Sequence, residues 1–520
     1  KGSTKTDTYD SISQYQGKYY FPERVVAPVT IVGVPIKLVT GVSSDYVVTE
    51  QMKKDSDNLA RLRREEIKKS MEFVWNGYKT YAWGFDELKP MSNSKGNPWG
   101  GMGVTLVDSL DTLWLMGMKN EFNEAVEWIK KSLSFNHVGI VSVFETTIRE
   151  LGGLLSAYDL SGEKILLDKA DDLGSRLIHA FDDSSIGLPR SQIDLSKKSA
   201  SNGWSGNSAI LAELGTLQVE FRYLSHETNN PSYEDISMKA IQFMGKKNPK
   251  YGLYPIKVGL SRGEFTESTV TFGALGDSFY EYLLKLWLQG NKEEMWLRNL
   301  YDRAIDGVVN ILLKTSSKTG LAFLSDWDGS RNDYKMDHLV CFMPGIMTLG
   351  AYTDPQGLDS QRAQRDLGIA KALMFTCREM YHRTKTGISP EFVRFDNNDM
   401  NTHTTAPFYI LRPETAESLY VMSHLTGDPI YREWSWEIWS AINRNCRVGS
   451  GFGSLHDVNA PQGGGIDDRM ESFFLAETMK YLYLAQDPDS EINLMEYVFN
   501  TEAHPTKIFK KGTHNPKQLN

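Results

Sequence analysis

The chain has 520 residues, of which 40% are hydrophobic and 24% charged, and it carries a formal net charge of −9 at pH 7. That is enough polypeptide for a large core at an ordinary soluble composition, and its acidic balance excludes a nucleic-acid partner, which needs a basic face. No apolar run reaches the length of about eighteen residues that a membrane helix requires, so any membrane attachment would come through a segment outside this chain.

Residues 1–56 differ in character from the rest of the chain. Ser, Thr, Lys and Tyr give way to a Val-rich stretch, Val25 to Val42, broken by Pro28, Pro35 and Lys37. This reads as a stem or peripheral segment. From Asp57 the pattern turns helical: Leu59, Leu62, Ile67, Met71 and Val74 recur at helical steps. They open a domain expected to run over 57–510, with 511–520 as a tail. Within it a helix–turn–helix unit repeats, with turns around Gly117, Gly162, Asn229, Gly290, Gly350, Gly427 and Asp487. The spacing is about sixty residues, the length of two helices and their connections. Strand-like alternation is scarce, which disfavours a wound α/β sheet. The helices before the turns are rich in small and aromatic residues, as in ELGGLLSAY, and lack the strict consensus of an open solenoid. The expected fold is all-α and closed: an inner and an outer ring of paired helices, seven pairs if every turn counts.

Each inner helix carries polar residues at or near its start. In chain order these are Asp108 with Asp111, Glu145, Glu213, Asp277, Asp337 with His338, Glu414, and Glu471. In a ring of parallel inner helices they gather at one end of the lumen. An acidic residue in a first turn is ordinarily a cap that complements the helix dipole. That bland reading weakens where the neighbours are unusual. Glu145 stands one helical turn before Arg149, and Glu414 follows Arg412 and Pro413, with Glu417 a turn further on the same face. Like charges this close need a substrate, a cation or a proton to compensate them.

Clustered carboxylates with few histidines suit glycoside hydrolysis, in which one carboxyl protonates the leaving oxygen and another activates water. They equally suit calcium, which prefers oxygen ligands. Zinc is disfavoured, since neither H-E-x-x-H nor paired C-x-x-C occurs. DWDG at 326–329 and DNNDMN at 396–401 lack the spacing of an EF-hand and read as surface turns. Phe473 and Glu477 share a face of the last inner helix, where an aromatic ring could pack on a sugar or simply fill the core. Cys341, Cys377 and Cys446 leave the redox compartment open.

Eight stretches in order, among them GYKTYAWGFDEL (77–88), VFETTIRELGGLLSAY (143–158), LGDSFYEYLLK (275–285), KMDHLVCFMPG (335–345), LRPETAESL (411–419) and VFNTEAHP (498–505), resemble the class I α-mannosidases of glycoside hydrolase family 47. The resemblance covers about Asn58 to His504. It implies an (α/α)7 barrel that removes terminal α-1,2-linked mannose from high-mannose N-glycans with inversion. It makes Glu414 the general base and leaves Glu145 and Asp277 as candidates for the acid. Thr501 becomes the direct protein ligand of a Ca2+ ion, and Glu417, Glu477 and Glu502 line the ion and the sugar. Arg149, His338, Arg412, Pro413 and Phe473 become further lining residues, with Phe473 the sugar platform. Cys341 and Cys377 become a disulfide pair, which fits an oxidising compartment. The same resemblance implies a monomeric catalytic domain in the lumen of the endoplasmic reticulum or Golgi.

Leu275 bears on substrate range. Family members that remove one mannose carry arginine at this position, whereas those that remove several carry leucine. KMDHLVCFMPG looks more like the single-mannose group, so the two signals disagree. A mannosidase-like factor that binds glycans for quality control without rapid cleavage is the alternative reading, and turnover of free glycan separates the two.

Overall fold

The computed structural model describes residues 27–43 and 45–510; the beginning of the expected stem and the whole of the expected tail lie outside them. Among the described residues, seven outer helices alternate with seven inner ones. The outer helices are α1 (Glu50–Tyr81), α3 (Lys119–Ser132), α5 (Lys164–Leu177), α7 (Ser232–Lys247), α9 (Met295–Gly307), α11 (Gln361–His382) and α13 (Pro429–Cys446). The inner helices are α2 (Val104–Asp108 continued by Leu110–Leu115), α4 (Val143–Thr146, a π turn at Thr147–Leu151, then Gly152–Ser161) and α6 (Leu211–Gly215, then Gln218–Thr228). They continue with α8 (Asp277–Gln289), α10 (Met343–Tyr352), α12 (Glu414–Thr426) and α14 (a π turn at Phe474–Thr478, then Met479–Ala485).

The two rings differ as burial requires. In α3 only Phe122, Ala125, Val126 and Ile129 are buried, one stripe of an amphipathic helix. In α8 every residue from Ser278 to Gln289 is buried, because both faces meet other helices. Small residues let the inner helices close up: a Cβ on Gly153 of α4 would stand 2.8 Å from the Val107 carbonyl of α2. Each inner helix touches the next, and α14 returns to α2, so the ring closes as an (α/α)7 barrel. No helix among the described residues is long and apolar enough to cross a membrane.

The repeat differs from its expected form in three respects. The turn at Asp487 leads into a hairpin, Tyr497–Phe499 against Pro505–Lys507, and α14 instead packs on α1 from the other end of the domain. Gly350 lies inside the last turn of α10, with the true turn at Thr353. Finally, α1 starts at Glu50, where the Thr49 side chain accepts the Met52 N–H as an N-cap, and not at Asp57. Just before it, Leu38 and Val39 are fully buried in the main core.

Short antiparallel strands build a rim where the inner helices begin. Ile140–Ser142 runs directly into α4, Ser208–Ile210 into α6, and Lys335–Asp337 into the 3-10 turn before α10. DWDG and DNNDMN fall in such rim hairpins. The terminal hairpin enters from the opposite end: Phe509 N–H donates to the carbonyl of Gln289, the last residue of α8. Its tip, Asn500 to His504, points up inside the ring.

Candidate active site

Glu414 is the first residue of α12, presented by a sharp turn in which Leu411 takes a left-handed φ of 69° and Pro413 caps the helix. His338 Nδ1 lies 3.0 Å from Glu414 Oε2, while its Nε2 meets the Tyr381 hydroxyl at 2.8 Å and Thr415 Oγ1 at 3.1 Å. Burial pushes the Glu414 carboxyl up, but His338 and then Arg412 outweigh it and hold the group below the usual glutamate range. Arg412 is itself fixed by a two-pronged contact with Glu391.

Asp277 opens α8 in the same manner, two residues after Leu275, which has a left-handed φ of 76° and accepts the Ala212 N–H at 3.0 Å. Its electrostatics are opposite. Burial first, then Glu281, Glu414 and Asp337, push the Asp277 carboxyl up to about 8, against one opposing hydrogen bond from Ser278 N–H at 2.8 Å. Burial and neighbours thus drive the two carboxyls in opposite directions, Asp277 toward its acid form and Glu414 toward its base form.

Glu145 sits in the first turn of α4, where Ser142 Oγ accepts its N–H at 3.1 Å. Arg149 Nε donates to Glu145 Oε2 at 2.8 Å, the pairing expected from their spacing. The same guanidinium lies 4.4 Å from the Trp99 ring centroid and 5.5 Å from that of Phe473, donates to Ser472 Oγ at 3.0 Å, and faces Glu471 and Glu502 at 3.7 and 3.9 Å. Glu213 on α6 is pushed up to about 7 by burial and by Glu145.

The hairpin tip supplies the remaining wall. Thr501 Oγ1 donates to Glu281 Oε2 at 2.8 Å, and Lys285 Nζ donates to the other oxygen of Glu281 at 2.5 Å. Burial and like-charged neighbours push Glu417, Glu477 and Glu502 well above the carboxylate range, and buried Glu502 Oε1 has no hydrogen-bond partner. Apart from the Lys285 ammonium the polar groups here are oxygens, and carboxyls outnumber cations, which suits a hard cation. No three Asp, Glu, His or Cys side chains among the described residues converge as a ready ligand set. The carboxylates stand around Thr501 instead of focusing on one point.

The residues singled out in the sequence thus fall on one lumen, except for two groups. Cys341 and Cys377 form a disulfide across 36 positions, away from the lumen, and Cys446 is free and buried. Asp108 and Asp111 are engaged by His504 and Lys480, so they are bound up in the wall and not offered to a ligand. Glu281, Lys285 and Glu391 are functional neighbours that the sequence alone did not single out. For Glu281 and Lys285 a signal existed, since Asp277, Glu281 and Lys285 repeat at four-residue steps along one face of α8. For Glu391, distant in sequence from Arg412, there was none.

Among known proteins, residues 70–508 match glycosyl hydrolase family 47. A mannosyl-oligosaccharide 1,2-α-mannosidase of Arabidopsis thaliana is 44% identical over 88% of this chain and 80% of its own length. The endoplasmic reticulum enzyme of the same description from Homo sapiens is 43% identical over 84% of this chain and 62% of its own. The solved α-1,2-mannosidase of Trichoderma reesei superposes with a TM-score of 0.81 at 32% identity, covering 86% of this chain and 99% of that one. By the span of the family match, the identity to these relatives and the shared barrel, this chain belongs to glycosyl hydrolase family 47.

Proposed function

We propose that this chain hydrolyses terminal α-1,2-linked mannose on high-mannose N-glycans with inversion, in keeping with the mannosyl-oligosaccharide 1,2-α-mannosidases among its relatives. What supports the mechanism is the opposed pair in one lumen, Asp277 pushed toward its acid form by burial and carboxylate neighbours and Glu414, paired with His338, pushed toward its base form. Asp277 gives its proton to the leaving glycosidic oxygen. Glu414 takes a proton from the water that attacks the opposite face of the sugar, and His338 and Arg412 keep it in the basic form. Glu145, tied to Arg149, and Phe473, stacked near the same guanidinium, orient the terminal mannose. Two carboxyls with separated pKa values are what an inverting hydrolase needs.

The oxygen-rich ring around Thr501 fits Ca2+, which the carbonyl and hydroxyl of Thr501 would hold, with Glu281, Glu417, Glu477 and Glu502 balancing its charge. Bound there, the ion would engage sugar hydroxyls and offset the crowding of carboxylates. The Cys341–Cys377 disulfide supports maturation in the secretory lumen, the endoplasmic reticulum or Golgi.

The test is digestion of Man9GlcNAc2 followed by NMR before mutarotation. Mannose is expected to appear first as the β anomer, and chelation is expected to stop the reaction until calcium, not zinc, is restored. An α anomer would remove the inverting assignment, and binding without turnover would favour the quality-control reading.

A further inference from the structure

The hairpin tip is an unusual place for Thr501 and Glu502. It is a loop pushed into the middle of a barrel, at the end of a segment without helix after Ala485. Such loops are ordinarily the least ordered part of a fold. Here, apart from Glu502 Oε1, the side chains of the tip have fixed partners. His504 Nε2 meets Asp108 Oδ1 at 2.7 Å and its Nδ1 meets Asp111 Oδ2 at 2.6 Å, so the ring is gripped from both sides by α2. Each carboxylate is held in turn: Asp108 by Ser472 Oγ at 2.6 Å, and Asp111 by Ser156 Oγ at 2.9 Å and Lys480 Nζ at 2.7 Å. Lys480 also donates to the Ala503 carbonyl at 2.6 Å. Asn500 Oδ1 accepts the N–H groups of Glu502 and His504, both at 2.9 Å, while its Nδ2 donates to Ile148 O at 3.0 Å and Glu220 Oε1 at 2.9 Å. His504, Asp108, Asp111 and Lys480 are each at most 1% exposed. Finally, Gly152 of α4 opens the space: a Cβ there would stand 2.5 Å from Asn500 Nδ2 and 3.2 Å from His504 Cδ2.

We propose that the Asp108–His504–Asp111–Lys480 cluster, with the notch at Gly152, is a positioning device that holds Thr501 and Glu502 in the lumen before any ion or sugar arrives. It rests on the reading of Thr501 as the calcium residue. In this role His504 and Lys480 need touch neither substrate nor ion, since their contacts are to Asp108, Asp111 and the Ala503 carbonyl. They act by fixing the tip to α2, α4 and α14, so the entropy of ordering the loop is lost on folding and not on binding. A purely structural role would give stability alone. The positioning role requires in addition that calcium affinity depend on these residues.

Two measurements on the full chain decide it. In metal-free wild type, hydrogen exchange of the amides of Asn500 to His504 is expected to be as slow as that of α14. Fast exchange that becomes slow only with calcium would overturn the proposal. Calorimetric titration with calcium is then read on Gly152→Ala, which keeps every charge and places a favoured helix residue in α4, and on Asp111→Asn with His504→Gln, which removes one acidic and one basic group of the cluster. Both are expected to bind calcium at least about tenfold more weakly, about 1.4 kcal/mol, with kcat regained at saturating calcium. Wild-type affinity in a folded Gly152→Ala protein would overturn the clamp even if the double variant failed to fold. A wild-type chain that binds no calcium would instead remove the Thr501 reading, leaving the exchange measurement to judge the clamp alone.

Discussion

Asp111 on α2 and Asp277 at the start of α8 are carboxyls of one inner ring, the first fully buried and the second partly exposed, yet they have opposite fates. Burial would push both up. At Asp111, His504 and Lys480 outweigh burial and bring the carboxyl below its usual value. At Asp277 the neighbours are further carboxylates, and the group rises to about 8. The first is complete without a ligand; the second has a requirement that only a proton or a substrate meets. Incomplete local compensation, more than position on a helix, is what marks a carboxyl on this ring as a candidate proton donor.

Glutamine at Glu414 should have the largest catalytic effect. It keeps the shape and loses the base, so kcat should fall by about 10² to 10⁴ while melting temperature changes little. Asparagine at Asp111 should do the reverse. It leaves Lys480 and His504 with one fewer buried counter-charge, which costs about 3 kcal/mol of stability, while kcat in saturating calcium stays near wild type. Steady-state kinetics and thermal melts on the two proteins test the contrast, and similar profiles for both would break it.

The pH dependence sharpens the same comparison. A rate that needs protonated Asp277 and ionised Glu414 should fall on the alkaline side near pH 8, and on the acid side below the usual glutamate range. Asp277→Asn should lose most of the rate and its alkaline limb, whereas Glu145→Gln should be slower but keep that limb. Stability carries the matching sign. Because the folded-state pKa of Asp277 is raised, its proton favours the native state fully below about 4, the ordinary Asp value, and that contribution is lost as pH rises through about 8. Asp277→Asn should therefore gain in melting temperature relative to wild type as pH rises across that window. A persisting alkaline limb in Asp277→Asn would move the acid to Glu145.

Much of the barrel was legible because its period is written in turn residues: Gly117, Gly162, Asn229 and Gly427 all take the left-handed conformation that ends a helix. The last pair was not, because α14 is completed by α1 from the other end of the chain, a long-range contact without a local signal. The carboxylates were legible as a set but not by role. Asp108 and Asp277 look alike in sequence, and only the arrival of His504 from the terminal hairpin separates them. The hairpin itself could not be read from periodicity, since its strands are three residues each. The resemblance picked out Thr501 there without revealing what holds it.

Leu275 offers the smallest and most specific test. It is partly exposed, two residues before Asp277, with its φ of 76° already in the left-handed region. Replacing one unbranched-at-Cβ residue by another adds little backbone strain there, so Leu275→Arg should fold as wild type does. An apolar side chain places no directional demand on the sugars passing it, and different branches can enter in turn. Arginine brings a planar fork of donors that holds one arrangement of hydroxyls better than others. It also fills more of the approach to Asp277, rejecting branches as well as selecting one. Initial cleavage of Man9GlcNAc2 should change by only a few-fold, because a rim contact of this kind is worth on the order of 1 kcal/mol. The later cleavages should slow more, so that a Man8 product accumulates in the variant while wild type proceeds through several α-1,2-mannoses. Time courses of the glycan ladder at matched initial rate measure this. Should wild type already halt at Man8, the residues around His338, whose sequence resembles the single-mannose group, govern product range and Leu275 does not.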